Sequence, residues 1–393
     1  MCIKGAQPQG CQDQCGPLDL GEPYQWWRSS ATDEEMAVLK VTSVSDVAAL
    51  NPRLRVMREL ERLAMVAPEG LDDLRHRLIA YRAGDLWVPL GGLAKEDVAV
   101  PPVVTVLLVG VTGGGKSSLI NLMYSVLGRA GIIPFALTSG STSKSEATTM
   151  FLEEHNVLRS KRSGFCVYDS RGFDGDDLRG GDGTLLEVSK WMVEGVHHNQ
   201  PCSRPGDDVD RQMMMMMMGG SSQSSKFARR QVNCAIVVAN MAEIYAALKD
   251  GDSKPLHATK QVFCVPALKK GNQNPILILT HGDKLSSNDR IDARVKICEY
   301  LGISETSGVY DIVCLTEHGV VAEECDPVTA YALTEAVYRA LLTSDMSYLP
   351  KQSKRDKAML VLSWFLSFLA ASFAFLARFF SGLSQKQHYK RLE

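Results

Sequence analysis

The sequence predicts an α/β fold: a three-layer sandwich on a mostly parallel sheet, followed by a hydrophobic helix near the C-terminus. Three observations predict it. First, the apolar, β-branched run Val103–Val109 leads into the glycine loop Gly110-Val111-Thr112-Gly113-Gly114-Gly115-Lys116-Ser117, and helical spacing of apolar residues follows from Ser118 to Tyr124. That is a buried strand, a tight loop and a helix in succession. Second, strand-like runs alternate with helix-like runs from Val232 to Leu342, which argues for a parallel sheet covered on both faces. Third, residues 358–377 carry no charge, a length able to cross a bilayer as a helix.

Composition sets broad limits. A chain of 393 residues is expected to form one large or two modest domains. Its hydrophobic content of 45% supports a well-buried core, and a net charge of −2 gives no argument for a nucleic-acid partner. Several of the 10 cysteines sit inside apolar runs, as buried free thiols do. Cys2, Cys11 and Cys15 lack the matching second pair or nearby histidines of a zinc site. The opening residues hold no apolar core segment, so no secretory signal is expected, and a reducing cytosol is the simplest compartment.

The elements follow in order. Residues 1–45 read as an N-terminus without fixed structure, rich at first in Gly, Pro, Gln and Cys. Residues 46–100 read as a helical extension. Leu54, Met57, Leu60 and Leu63 recur at helical spacing, with Asn51 as cap and Pro52 in the first position. Leu71 to Tyr81 reads as a second helix. The main domain is expected over 101–345, entered at Pro101-Pro102. Within it, Gly128 to Glu146 is a polar loop, and Ala147–Glu153 and Phe165–Tyr168 are strands joined by a charged turn. Leu185–His197 is a helix. Residues of about 199–230, with Pro201, Pro205, the run Met213–Met218 and a serine tract, form a low-complexity insert. Strands are then expected at Val232–Asn240, Pro275–Leu279 and Val309–Leu315. Helices are expected at Ala242–Leu248, Thr259–Leu268, Asp289–Leu301 and Thr329–Leu342. Residues 346–357 are a basic linker and 378–393 a short tail.

The chemistry centres on the loop, which fits G-x-x-x-x-G-K-[ST], the phosphate-binding loop of P-loop NTPases. Glycines let successive N–H groups turn inward toward phosphate oxygens, and the following helix adds its unpaired N–H groups and partial positive charge. Lys116 is placed to neutralise β- and γ-phosphates, and Ser117 to offer its hydroxyl to Mg2+. After the strand ending at Tyr168 comes Asp169-Ser170-Arg171-Gly172, a D-x-x-G. A carboxylate there reaches a nucleotide-bound Mg2+, usually through water, and Gly172 offers its N–H to the γ-phosphate. A third motif, Thr280-His281-Gly282-Asp283, follows the strand Pro275–Leu279.

Together these ordered motifs resemble the signature of GTP-binding G domains, over roughly Val103 to Leu342. Within that superfamily the chain looks most similar to plant G-domain proteins related to the interferon-induced protein 44 group. The resemblance implies GTP as ligand or substrate and Mg2+ as cofactor, held by Gly110, Thr112, Gly113, Gly114, Gly115, Lys116, Ser117 and Ser118. It implies that Asp283 accepts from the guanine N1–H and exocyclic amine, next to Thr280 and to His281, where the family has Lys and an imidazole can stack on the base. It implies hydrolysis by in-line attack of water, carried by Lys116 and Gly172, with Thr142 or, next in order, Thr148 completing a metal shell of Ser117 and Asp169. Ras-like enzymes orient the water with a Gln after D-x-x-G. Phe173 stands there, which predicts slow hydrolysis or help from another residue or partner. Arg171 reads as either a charge stabiliser or a solvated arginine. A homodimer through the G domain is a further partner that the resemblance allows. Two alternatives stay open: an interaction module that binds nucleotide without significant hydrolysis, and an ATPase.

Cations flank the apolar run, Lys351, Lys354, Arg355 and Lys357 before it and Arg378, Lys386, Lys390 and Arg391 after it. The reading is a transmembrane tail anchor at 358–377, with the G domain at the cytosolic face of an intracellular membrane. A buried core helix is the competing reading.

Overall fold

The computed structural model describes residues 25–41, 50–89, 94–128, 135–136, 149–174, 183–202, 228–313, 326–351, 359 and 362–378. These divide into two compact units, Met1–Trp87 with Pro101–Ser347, and Val88–Val100 with Tyr348–Glu393.

The first unit begins with a 3-10 turn, Trp26–Ser30, in a stretch where the sequence predicted no fixed structure. Long-range contacts fix it: Trp27 is fully buried, its Nε1 donates to Glu61 (2.9 Å), and Arg28 donates twice to the same carboxylate at 2.7 Å. Helix α1 (Asp33–Val41) follows, then α2 (Pro52–Ala80). Asn51 caps α2, accepting from the Leu54 amide at 2.8 Å, with Pro52 in the first turn. The two helices expected between Pro52 and Tyr81 are one. Pro68 lies inside it and removes an amide donor, at a cost of about 3 kcal/mol. The buried stripe Leu60, Leu63, Ala64, Ala67, Leu71, Leu74 and Leu78 runs unbroken past it, and each buried leucine contributes about 2 kcal/mol.

The sheet has seven strands in the order β4-β2-β3-β1-β5-β6-β7. They are β1 (Val104–Val109), β2 (Phe151–His155), β3 (Phe165–Asp169), β4 (Gln200–Pro201), β5 (Cys234–Asn240), β6 (Ile276–Thr280) and β7 (Val309–Asp311). β3, β1, β5, β6 and β7 pair in parallel, while β2 pairs antiparallel with both β3 and β4. The sheet is thus mostly parallel rather than wholly so. Interleaved with the strands are α3 (Lys116–Val126), α4 (Gly183–Glu194), α5 (Met241–Lys249), α6 (Lys254–Phe263), α7 (Ser287–Leu301) and α8 (Pro327–Met346).

Alternation along the strands separates two cores. Val104, Val106 and Leu108 of β1 join Ile236 and Val238 of β5 in packing against α2, α3 and α8. Leu107, Val109, Val237 and Leu279 pack on the other face against α4, α5, α6 and α7. The result is three layers, helix, sheet and helix. In the last turn of α8, the buried Asp345 carboxylate accepts from Tyr81 Oη (2.8 Å) and from the Gly84 and Leu86 amides, pinning the end of α2.

In the second unit, Val98 bridges Pro350, the Ala99 amide donates to Leu349 O (3.0 Å), and Lys351 N donates to Asp97 O (2.6 Å). A helix over 362–378, α9, follows. Residues 358, 360 and 361 of the membrane-spanning helix expected at 358–377 lie outside the described residues, and among the described residues no helix is long and apolar enough to cross a membrane. Trp364, Phe365, Phe368, Phe373 and Phe375 of α9 are exposed.

Candidate functional site

In an open parallel sheet, ligands bind beyond the C-terminal strand ends, where successive connections leave in opposite directions. Here that point is the end of β1, which lies between β3 and β5. The glycine loop emerges there, Asp169 ends β3, Asn240 ends β5 and Thr280 ends β6.

The loop is shaped by its neighbours. Gly115 caps α3 in the left-handed region, φ 87°, a conformation a side chain rarely adopts. Gly172 lies so close that a Cβ there would stand 2.6 Å from Thr112 Cα. The D-x-x-G segment is hydrogen-bonded to the loop in both directions: Phe173 N donates to Gly110 O (3.1 Å) and Thr112 N to Phe173 O (2.9 Å). The Thr112 hydroxyl is buried beside Gly172 without a hydrogen-bond partner among the described residues. Gly114 N is held by Val111 O (3.1 Å). At the start of α3, the amides of Lys116, Ser117 and Ser118 have no intrahelical acceptor.

Lys116 is 6% exposed, and its Nζ donates to Gly110 O (3.3 Å) and Val111 O (3.1 Å), folded back over the loop. The Ser117 hydroxyl donates to Asp169 Oδ2 at 2.5 Å. Its single proton is then spent, so Thr149 Oγ1, 3.3 Å away, is the donor to it. Burial pushes the Asp169 carboxyl above its ordinary range, against the opposing pull of Ser117 and Lys116. Thr142 and Thr148 lie outside the described residues. Thr149, which the sequence reading passed over, is the threonine within reach of Ser117. Its place just before β2 was the available signal.

At the other end of the loop, the Thr280 hydroxyl donates to Gly114 O (2.8 Å), with Ala239 O at 3.2 Å. His281 Nδ1 lies 2.8 Å from the same hydroxyl and must supply the proton of that bond. Burial lowers the His281 pKa, favouring the neutral ring. His281 has φ 59°, an uncommon left-handed turn, and a Cβ on Gly115 would stand 3.4 Å from its Cε1. Asp283 is exposed and makes no hydrogen bond with any described residue. Asn240 Nδ2 reaches Gly113 O at 3.4 Å, a contact that no sequence motif announced.

One further expectation changes, and the reading of Phe173 keeps its basis. Arg171 is not solvated: it is buried, and its Nη1 donates to Cys202 O (3.1 Å), away from the loop. Phe173 is fully buried and has no group to orient water. Among the described residues no cluster of three or more His, Cys, Asp or Glu is placed to hold a metal. Any metal here would rest on hydroxyls, one carboxylate and the ligand itself.

The fold and site define a layered α/β domain with a phosphate-type glycine loop at its topological switch point. No protein-family model matches the chain, and no curated protein matches it. Matches among solved structures include a probable GTP-binding protein engB, at 13% identity and a TM-score of 0.29, covering 61% of this chain and 98% of that one. A putative nucleolar GTP-binding protein 1 from Plasmodium falciparum matches at 12% and 0.26, covering 70% and 99%. Toc33 from Arabidopsis thaliana, in complex with GDP and Mg2+, matches at 13% and 0.30, covering 75% and 99%. The narrower resemblance to the interferon-induced protein 44 group rests on the sequence motifs alone.

Proposed function

We propose that the chain binds a guanine nucleoside triphosphate with Mg2+ and works as a nucleotide-dependent switch or slow GTPase. The observation that carries this is the convergence of Ser117, Asp169 and Thr149 oxygens at the mouth of the glycine loop. A hard-oxygen set with one carboxylate suits Mg2+, which keeps waters and shares phosphate oxygens. Bound there, Mg2+ would offset phosphate charge. Lys116 would exchange its two loop carbonyls for phosphate oxygens, and the first amides of α3 would receive the rest of the charge. The buried Thr112 hydroxyl and the Gly172 amide stand at the end of the loop suited to a γ-phosphate. Asp283, which makes no hydrogen bond with any described residue, would accept from the guanine N1–H and amine. Phe173 leaves the water-orienting role to another residue or to a partner, and a second G domain would satisfy it. In that case, single-turnover hydrolysis rises with protein concentration.

Competition of GTP against ATP for the purified chain, with Asp283→Asn as control, tests the reading. Guanine preference that collapses in Asp283→Asn is expected, while equal affinity for both bases in the wild type refutes guanine specificity and favours an ATPase. Binding without turnover in a single-turnover assay supports an interaction module. The exposed aromatic side chains of α9 support attachment to an intracellular membrane, with the cytosolic face as the side proposed from the sequence. The account of localisation fails if the full chain is as diffuse as a truncation ending at Lys357.

A further inference from the structure

Behind the Thr280–Lys284 turn lies a buried ion pair that the reading above does not use. Arg290 of α7 donates to Asp311 at the end of β7 through Nε (2.5 Å) and Nη2 (2.9 Å), and both residues are buried. The turn rests directly on this pair: a Cβ on Gly282 would stand 2.4 Å from Arg290 Nε and 2.8 Å from Asp311 Oδ1. The Arg290 guanidinium also lies over the ring of Trp26, its carbon 3.9 Å from the ring centroid. Trp26 belongs to the 3-10 turn that Glu61 anchors through Trp27 and Arg28. Ser29 also reaches Ser287 at the start of α7 (3.2 Å). The N-terminal turn therefore touches the platform beneath Asp283.

We propose that Trp26 is a positioning residue for base recognition: by capping the Arg290–Asp311 pair it fixes the turn that carries Asp283. This rests on the guanine-binding reading. A planar guanidinium bonded to a carboxylate on its edge and stacked by an indole on its face has one orientation. Without the indole the pair gains freedom, and Gly282, which has no side chain to resist, moves with it.

The test compares Mg-GTP and Mg-tripolyphosphate binding to the full chain, wild type, Trp26→Ala and Trp26→Phe. Tripolyphosphate reads the glycine loop alone, and GTP reads the loop and the base turn together. The proposal expects Trp26→Ala to weaken GTP about tenfold, to leave tripolyphosphate affinity unchanged, and to be largely rescued in Trp26→Phe. Equal loss of both ligands, no loss of GTP affinity, or a Trp26→Phe as weak as Trp26→Ala overturns it. Wild-type chain that binds tripolyphosphate but shows no preference for GTP refutes the guanine reading instead.

Discussion

Replacing Thr280 with Val deletes one hydroxyl and keeps the side-chain volume. That hydroxyl donates to Gly114 O at 2.8 Å and accepts from His281 Nδ1 at 2.8 Å, so it joins the base turn to the glycine loop. The substitution strands a buried carbonyl and a half-buried N–H. An unsatisfied buried group costs about 1–3 kcal/mol, so a loss near 2 kcal/mol is expected. In a domain of this size each kcal/mol moves the melting temperature by about 2–4 °C, giving a drop of about 4–8 °C for the nucleotide-free protein. GTP affinity falls with it, because the Gly114 peptide is no longer pinned from β6. Thermal melts and equilibrium binding of Thr280→Val, with Thr280→Ser as the hydroxyl-retaining control, measure both. If Thr280→Val melts and binds like wild type, or Thr280→Ser loses as much, the coupling of the two motifs through this hydroxyl is wrong.

Two further outcomes follow from the same geometry. Gly172→Ala would drive a methyl into the Thr112 backbone at 2.6 Å; nucleotide binding should fall sharply in a titration, while Gly271→Ala, whose added Cβ meets nothing within 4 Å, costs some stability at its φ of 60° but leaves binding unchanged. His281, held below its ordinary pKa of 6.5 by burial, makes the folded state bind fewer protons than the unfolded one. Its contribution is complete above 6.5 and is lost as pH falls through that value toward the folded pKa, so His281→Gln should flatten part of the acid slope of the melting temperature. His198 is shifted in the same direction and adds to the slope that remains.

What the sequence reveals here is what local chemistry dictates. The buried runs of β1, β5 and β6 are continuous apolar stretches, and Asn51 before Pro52 is a start signal that needs no partner. The glycine loop, Asp169 and Thr280 are legible because chain order places each directly after a strand. What sequence reading misses depends on distant residues. The Trp26–Ser30 turn is held by Glu61, far along the chain. Pro68 stays within α2 because α8 and the sheet cover the stripe beneath it. β4 contains Pro201, which a strand tolerates at an edge, and it is recruited by pairing with β2. Arg171 looks like a surface charge until Cys202 O is found beside it.

The account stands most directly on Lys116. Equilibrium binding of Mg-GTP to the purified full chain, wild type against Lys116→Ala, is the measurement. Saturable binding by the wild type, weakened at least about a hundredfold when the ammonium is removed, is the predicted result. A wild type that takes up no nucleoside triphosphate, or a Lys116→Ala variant that binds equally well, contradicts it.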